Sequence, residues 1–474
     1  MTRFSARDLL NLVLDKGSFQ TWDEPADYSG YDPSYRAELQ RARDKAKIDE
    51  SVMTGRGTVQ GRPVAVILNE FSFLAGSIGT VAADRIVAGL TRATAEGLPV
   101  LAAAASGGTR MQEGTPAFVR MIDIARAVTT HKAAGLPFLV FLRHPTTGGV
   151  FASWGSLGHI TIAEPGALVG FLGPKVYEHL NGRPFPPGVQ VAENLRLHGL
   201  IDALAIPEDV PLLVSQALAI LVDPPTPGTR ERRSAPAARL RTTWESIELT
   251  RTDKRTSVRD VLRYGTDVFL RLHGTQAGER DAAMIVALAR IDGEPCVVIG
   301  QDRTTQTPDS PLGAAGLREA QRGMRLANEL HLPLVSFIDT PGADLSVNAE
   351  QGAIAGEIAR CLAAMSTLNV PSVSVLLGQG CGGGALALLP ATVTLAAENA
   401  WLSPLPPEGA SAIVHGDIDH ASDMANSQHT SAYDLLESGT VSALIAEPVG
   451  DTAPAFANAV AAEVGAALRS LAGR

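Results

Sequence analysis

The chain has 474 residues, of which 45% are apolar and 19% charged, and its net charge is -10. This is the make-up of an ordinary globular protein of two domains or a little more, and it excludes a disordered chain. The acidic balance speaks against nucleic acid, which calls for a basic footprint. Apolar runs are broken by Gly, Pro or charge well before the roughly eighteen residues of a membrane span. Three scattered cysteines (Cys296, Cys361 and Cys381) give neither a disulfide framework nor a thiolate metal site and fit a reducing cytoplasm. Met1 to Phe19 lacks the charged-then-apolar layout of a signal peptide.

In chain order, Gly61-Arg-Pro-Val-Ala-Val-Ile opens an apolar strand. A helical stretch from Ala82 to Glu96 ends at Gly97, and Leu98-Pro99 leads into a second apolar run. A helix from Ala117 to Ala134 ends at Gly135, and Pro137 leads into FLVFL; Ala163-Glu164 follows. From Asp223 to Arg241 the chain reads DPPTPGTRERRSAPAARLR, rich in Pro and Arg with almost no large apolar residue, which is the composition of an exposed linker. Beyond it the order repeats. Gly293-Glu-Pro-Cys-Val-Val-Ile is followed by a helix from Gly316 to Leu330, Leu332-Pro333, a helix from Gly352 to Ser366, Pro371 before SVSVLL, and Ala397-Glu398.

Pro99 and Pro333, Pro137 and Pro371, and Glu164 and Glu398 are each 234 residues apart. One shared offset over three landmarks marks a duplicated domain and not a short-period solenoid. The expected division is 1–222, a linker over 223–241, and 242–474. Amphipathic helices alternating with short apolar strands predict an α/β fold of βα units around a largely parallel sheet in each half.

Each half carries Gly-rich turns after its apolar strands. The first has Ser106-Gly107-Gly108-Thr109-Arg110 and Pro145-Thr146-Thr147-Gly148-Gly149-Val150. The second has Asp339-Thr340-Pro341-Gly342-Ala343 and Gly378-Gln379-Gly380-Cys381-Gly382-Gly383-Gly384-Ala385. Glycine at a strand-to-helix turn lets a ligand approach backbone N–H groups, which can hold phosphate or an oxyanion formed during reaction. A Gly-Gly turn equally serves tight packing, so no single turn decides. There is no G-x-x-x-x-G-K-[ST] phosphate loop and no G-x-S-x-G elbow. The histidines show no metal spacing, and His144, His159 and His198 read as structural or surface residues. Backbone donors without an acid–base or nucleophilic team suit a reaction whose cofactor carries the reactive groups.

At these residues the chain resembles the carboxyltransferase component of acetyl-CoA carboxylase and its acyl-CoA carboxylase relatives. AGSIG (Ala75 to Gly79), ASGGTRMQEG (Ala105 to Gly114), PTTGGVFAS (Pro145 to Ser153), AEPGALVGFLGP (Ala163 to Pro174) and HGLID (His198 to Asp202) resemble the bacterial β subunit. FIDTPGA (Phe337 to Ala343), GQGCGGGALAL (Gly378 to Leu388) and PPEGASAI (Pro406 to Ile413) resemble the α subunit. The likeness covers nearly all of the chain outside the linker and the first fifty or so residues, as if both subunits were fused in β-then-α order.

The resemblance implies two crotonase-like (ClpP/crotonase) ββα-spiral domains in tandem, in a homo-oligomer (dimer or hexamer) whose sites are shared between subunits. It implies transfer of a carboxyl group from carboxybiotin, on a separate carrier protein, to the α-carbon of an acyl-CoA: acetyl-CoA to malonyl-CoA, as in fatty acid biosynthesis, or a related short acyl-CoA. Two oxyanions need stabilising, one on biotin and one on the thioester. Matched motif by motif, Gly148 and Gly149 are expected to serve the thioester and Gly384 and Ala385 the biotin. Gly107, Gly108, Gly173, Gly342 and Gly383 are expected to line the substrate and biotin sites. The chain carries no ATP-grasp-like sequence and no Met-Lys-Met biotinylation motif, so a biotin carboxylase and a biotin carboxyl carrier subunit are expected partners. No bound metal is expected, because the first fifty residues lack the four-cysteine zinc ribbon usual in the β subunit.

Other departures from the family pattern are Gln301-Asp302-Arg303 in place of a Gln-Lys-Gly-Arg run and Ala343-Asp344 in place of Ala-Tyr. Both fall near expected ligand contacts and leave the acyl substrate open. Arg110 and Glu113 are expected to form a buried ion pair bracing the glycine turn. Arg196 and the linker arginines are candidates for CoA phosphates, although exposed arginines ordinarily meet water. Two other functions share the fold: a malonyl-thioester decarboxylase, disfavoured by the RMQEG and GFLGP forms, and a non-catalytic assembly paralogue, disfavoured by intact glycine turns in both halves.

Overall fold

The computed structural model describes residues 4–233, 239–252, 255–448 and 450–473. The chain forms two compact units: Met1–Leu221 with Gln276–Gly278, and Val222–Thr275 with Glu279–Arg474. Each is built on one eight-stranded sheet.

In the first unit, β1 (Val52–Val59) and β2 (Arg62–Asn69) form an antiparallel hairpin closed by Gln60-Gly61, both with positive φ, the two-residue turn whose twist matches that of the strands. Helix α1 (Thr80–Ala95) crosses to β3 (Val100–Ser106), and α2 (Gly114–Ala133) crosses to β4 (Phe138–Thr147). From β2 through β5 (Ile160–Ala163) every pairing is parallel. The second unit repeats the order. Its hairpin of β6 (Met284–Ile291) and β7 (Glu294–Gln301) is closed by Asp292-Gly293, again both at positive φ. Then come α3 (Ala314–Leu330), β8 (Leu334–Thr340), α4 (Ile354–Ser366), β9 (Ser372–Cys381) and β10 (Val393–Ala397), with parallel pairing from β7 onward.

Burial explains the pattern. Every residue of β3 and β8 is buried, as a parallel strand covered on both faces requires. Helix α1 buries Ala82, Ala83, Ile86, Leu90 and Ala93, a helical stripe facing the sheet. Gly89 lets α1 approach: a Cβ there would lie 3.2 Å from Thr54 Cβ. At Gly323, 234 residues on, a Cβ would lie 2.2 Å from Ile299 Cγ2. The helices begin near the expected positions. The main difference is at α4, where a short helix, Val347–Gln351, comes first and Ala353, at φ 64, separates the two.

The described residues of the Pro/Arg-rich stretch are largely exposed, and four of its arginines are engaged by carboxylates of the second unit. Arg230 pairs with Asp267 (2.8 Å), Arg232 with Glu463 (2.8 Å), Arg233 with Asp451 (2.7 Å) and Arg239 with Asp434 (2.7 Å). Ser234 to Ala238 lie outside the described residues. Those four arginines therefore anchor the segment to the second unit.

Candidate active site

In both sheets the central parallel pair loses register at its C-terminal end. Ala104 pairs with Leu142 but Ser106 with Thr146; Ile338 pairs with Leu376 but Thr340 with Gly380. β4 and β9 each take up extra residues there, which bends the strand before its glycines.

The turns are then built alike. Ser106 Oγ accepts the Gly108 N–H at 3.0 Å, and Thr340 Oγ1 accepts the Gly342 N–H at 3.2 Å. Gly108 and Gly342 have φ of 108° and 138°, values L side chains rarely adopt. Gly148 (φ 61°) and Gly382 (φ 65°) open the short helices Gly148–Phe151 and Gly382–Leu386. Ile78 bridges to Thr109 and Leu312 to Ala343. All these pairs keep the 234-residue offset. In the first unit the two turns touch: a Cβ on Gly108 would lie 3.4 Å from Gly148 Cα, and one on Gly149 would lie 2.9 Å from Thr109 Oγ1. In the second, a Cβ on Gly384 would lie 3.3 Å from Ala343 N, and one on Gly383 would lie 2.8 Å from Ile358 Cδ1.

The opening N–H groups of a helix have no partner within it. Gly148 N–H is nevertheless occupied, donating to the Phe171 carbonyl at 2.9 Å. The N–H groups of Gly149 and Val150, and of Gly383 and Gly384, are the second and third of their helices, ahead of the first N–H that the helix itself can satisfy. The donor expected at Gly148 thus falls one residue later. Ala385 is fully buried, one position deeper in its helix. Gly107 lies at 3.6 Å (as a Cβ) from the Ala75 carbonyl, which accepts its N–H at 2.9 Å. Gly173 precedes the helix Pro174–Asn181 with open space around it, so close backbone approach within the unit is not what places a glycine there.

Charge braces both turns from behind. Arg110 is fully buried; its guanidinium grips Glu50, lies 3.4 Å from Glu113 and donates to the Ser77 carbonyl at 2.8 Å. This is the expected bracing pair, with Glu50 as a further member that the sequence did not single out. Burial alone would raise the Glu113 pKa, but the Thr80 N–H, the Tyr35 hydroxyl and Arg110 hold it below the usual range. In the second unit Asp339 takes this place. It is fully buried, and Oδ1 accepts the Gln379 N–H at 2.9 Å while Oδ2 lies 3.8 Å from Arg303 Nε. Burial pushes its pKa up to about 6 against the opposing pull of Arg303 and the Gln379 N–H.

The carboxyl transferase domain family matches residues 1–462. The chain belongs to that family. Among its relatives, a probable biotin-dependent acyl-coenzyme A carboxylase beta3 subunit of Mycobacterium tuberculosis is 53% identical over 471 residues, covering 98% of this chain and 94% of the relative. An acetyl-coenzyme A carboxylase carboxyl transferase subunits beta/alpha protein of Saccharopolyspora erythraea is 34% identical over 483 residues, covering 99% and 85%. The solved transcarboxylase 12S, described as a hexamer assembly with methylmalonyl-coenzyme A bound, aligns with a TM-score of 0.78 at 23% identity over 100% of this chain and 90% of that one. Within the carboxyl transferase family this likeness establishes the fold as two crotonase-like α/β units in tandem.

The departures from the family pattern have local structural roles. Asp302 is buried, accepts from Arg259 Nε at 2.5 Å and caps the turn Arg303–Thr305; Asp344 accepts from the Ser346 N–H at 2.8 Å. His159 is buried and its Nδ1 accepts the Phe138 N–H (3.0 Å), whereas His144 Nδ1 accepts the Leu168 N–H (3.0 Å). All three cysteines are buried and free. Among the described residues no group of three or more His, Cys, Asp or Glu is placed to hold a metal ion, and no helix is long and apolar enough to cross a membrane. Ser106, Thr340, Val150 and Gly382 stand in the turns quoted from the sequence, but sequence reasoning assigned them no role of their own. The 234-residue offset, applied to Gly148, would have named Gly382.

Proposed function

We propose that the chain is the carboxyltransferase subunit of a biotin-dependent acyl-CoA carboxylase, moving a carboxyl group from carboxybiotin on a separate carrier to the α-carbon of an acyl-CoA. The observation that carries this reading is the pair of glycine turns, one per unit, each placing two adjacent N–H groups at a helix start where the helix itself offers them no acceptor. The names of the relatives support the same reading.

The turns fit what the reaction asks of them. At Gly149 and Gly383 a Cβ would press on Thr109 and Ile358, so glycine is what lets each helix start sit this close to its neighbours. When bound, carboxybiotin supplies the carboxyl group and the base for the α-proton. The chain's part is to hold negative charge: the N–H groups of Gly149 and Val150 receive the thioester oxygen as it becomes an enolate oxygen, and those of Gly383 and Gly384 receive the biotin ureido oxygen. Preorganised backbone donors need no reorientation as charge develops, and one such donor contributes about 3 kcal/mol to the transition state. Gly148, with its N–H tied to Phe171, fixes the angle at which its helix opens.

The short acyl-CoAs, acetyl-CoA among them, are the substrates proposed, and the subunit is proposed to work as a homo-oligomer. The test supplies the purified chain with biotin carboxylase, biotinylated carrier, ATP, Mg2+, labelled bicarbonate and acyl-CoAs of rising chain length. Label is expected in acid-stable carboxyacyl-CoA only with every component present. Product formed without carrier, or no product from any acyl-CoA while the carrier becomes carboxylated, overturns the reading. Loss of CO2 from malonyl-CoA without carboxyl transfer identifies a decarboxylase instead.

A further inference from the structure

Gln301 is the last residue of β7 and lies outside both glycine turns, yet its side chain reaches into one of them. It is fully buried and both ends of its amide are used: Nε2 donates to the Gly384 carbonyl at 2.7 Å, and Oε1 accepts the Asp339 N–H at 3.1 Å. One partner is an acceptor and the other a donor, so the amide has a single orientation that satisfies both.

The brevity of the helix Gly382–Leu386 explains the need. In a longer helix the Leu388 N–H would take the Gly384 carbonyl; here it turns to Ala385 at 3.2 Å. A buried carbonyl left without a donor is costly, and Gln301 supplies the donor. Asp339 extends the clamp, since its Oδ1 accepts the Gln379 N–H at 2.9 Å within the extra residues of β9. β7, β8 and β9 are thereby tied together at the level of the turn. The first unit is built differently. Asn69, the last residue of β2, donates at 3.3 Å to the Ser51 carbonyl and at 3.5 Å to that of Gly76, both away from Gly148–Phe151.

We propose that Gln301 is a positioning residue of the carboxyl-transfer reaction: by holding the Gly384 carbonyl, in the peptide that joins it to Ala385, it fixes the short helix from its C-terminal side and so keeps the preceding N–H groups of Gly383 and Gly384 aimed at the ureido oxygen of biotin. The inference rests on the function proposed above. Gln301 contacts no reacting atom; it acts through Gly384 and should therefore govern the biotin side of the reaction and leave acyl-CoA binding alone.

The test measures carboxyl transfer from a carboxyacyl-CoA to free biocytin, each substrate varied in turn. The α-carbon releases its carboxyl group to the biocytin ureido nitrogen and receives the proton that nitrogen loses. Gln301→Met keeps the bulk and removes both hydrogen bonds. It is expected to lower kcat about tenfold, the equivalent of one buried hydrogen bond, with KM for the carboxyacyl-CoA unchanged within about twofold. Gln301→Glu, which can accept from Asp339 but not donate to Gly384 when ionised, is expected to lose at least as much. Amide exchange over 382–388 should quicken in both variants while that over 148–152 stays as in the wild type. Wild-type kcat in a cooperatively melting Gln301→Met protein overturns the inference, as does a rise in KM for the carboxyacyl-CoA that accounts for the loss. Failure of both variants to fold reduces Gln301 to a core-stability residue and also overturns it. A wild-type protein that transfers to neither biocytin nor carrier overturns the proposed function itself, an outcome the wild-type control separates from the others.

Discussion

Gly149→Ala tests the donor assigned to the first turn with the least disturbance. The φ of Gly149 lies outside the left-handed region, so an L side chain brings no backbone strain there. The added Cβ meets Thr109 Oγ1 at 2.9 Å and Met121 Cγ and Sδ at 3.5 Å. The methionine contacts are ordinary and the hydroxyl contact is too close, so Thr109 or the helix start must yield by a few tenths of an ångström. Overpacking of this kind costs about 1 kcal/mol, or a melting temperature lowered by about 2–4 °C for a unit of this size. The effect on turnover should be far larger, about a hundredfold, because the displaced N–H no longer meets the developing charge. Calorimetry and carboxyl-transfer kinetics separate the two effects. Adding Thr109→Ala removes the clashing hydroxyl and should return the melting temperature without returning turnover. If Gly149→Ala alone melts near the wild type and turns over within about twofold of it, the N–H of Gly149 is not a donor in the reaction and the assignment fails.

Three further outcomes are expected. Arg110→Ala leaves Glu50 fully buried without its cation and should cost about 3–5 kcal/mol, read as a melting temperature roughly 6–20 °C lower; Arg110→Lys should not restore it, because an ammonium cannot reproduce the fork that grips Glu50, Glu113 and Ser77. An Arg110→Ala protein as stable as the wild type would contradict the bracing role. His131, fully buried with Nδ1 2.9 Å from Thr94 Oγ1, has its pKa pushed down to about 4 by burial. The unfolded state therefore binds more protons below its own value of about 6.5, and stability should be full above that pH and decline as pH falls toward 4, by about 3 kcal/mol at most. Urea midpoints should show this decline flattened in His131→Gln; an unchanged slope refutes it. Asp339 has the opposite sign. Its folded pKa of about 6 lies above the unfolded value, so its contribution is present in acid and lost as pH rises through 6. Asp339→Asn should accordingly raise the melting temperature at about pH 8 and change it little at about pH 4, and an equal change at both pH values would exclude the buried charge as the cause.

The duplication was legible in the sequence because βα units signal themselves locally. A proline marks the entry to each of these strands, buried parallel strands read as unbroken apolar runs, and a tandem copy keeps one offset. Pro99 and Pro333, or Pro137 and Pro371, are enough to find it. The glycine turns were legible for the same reason, since positions such as Gly108, Gly148 and Gly342 need φ values that only glycine adopts easily. What remained hidden depends on which backbone group is already bonded. No local pattern reveals that Gly148 N–H is taken by Phe171, which moves the free donors to Gly149 and Val150. Likewise nothing near Gln301 in the chain says that its amide joins Asp339 and Gly384, or that Glu50 answers Arg110 across the fold. The sequence by itself determined where the backbone must turn and where helix meets strand, because those depend on each residue's own conformational range and apolarity. Only the tertiary structure decided which donors stay free and which charges are paired, because hydrogen bonding and burial are settled between groups tens to hundreds of residues apart that come together only when the sheet closes around them.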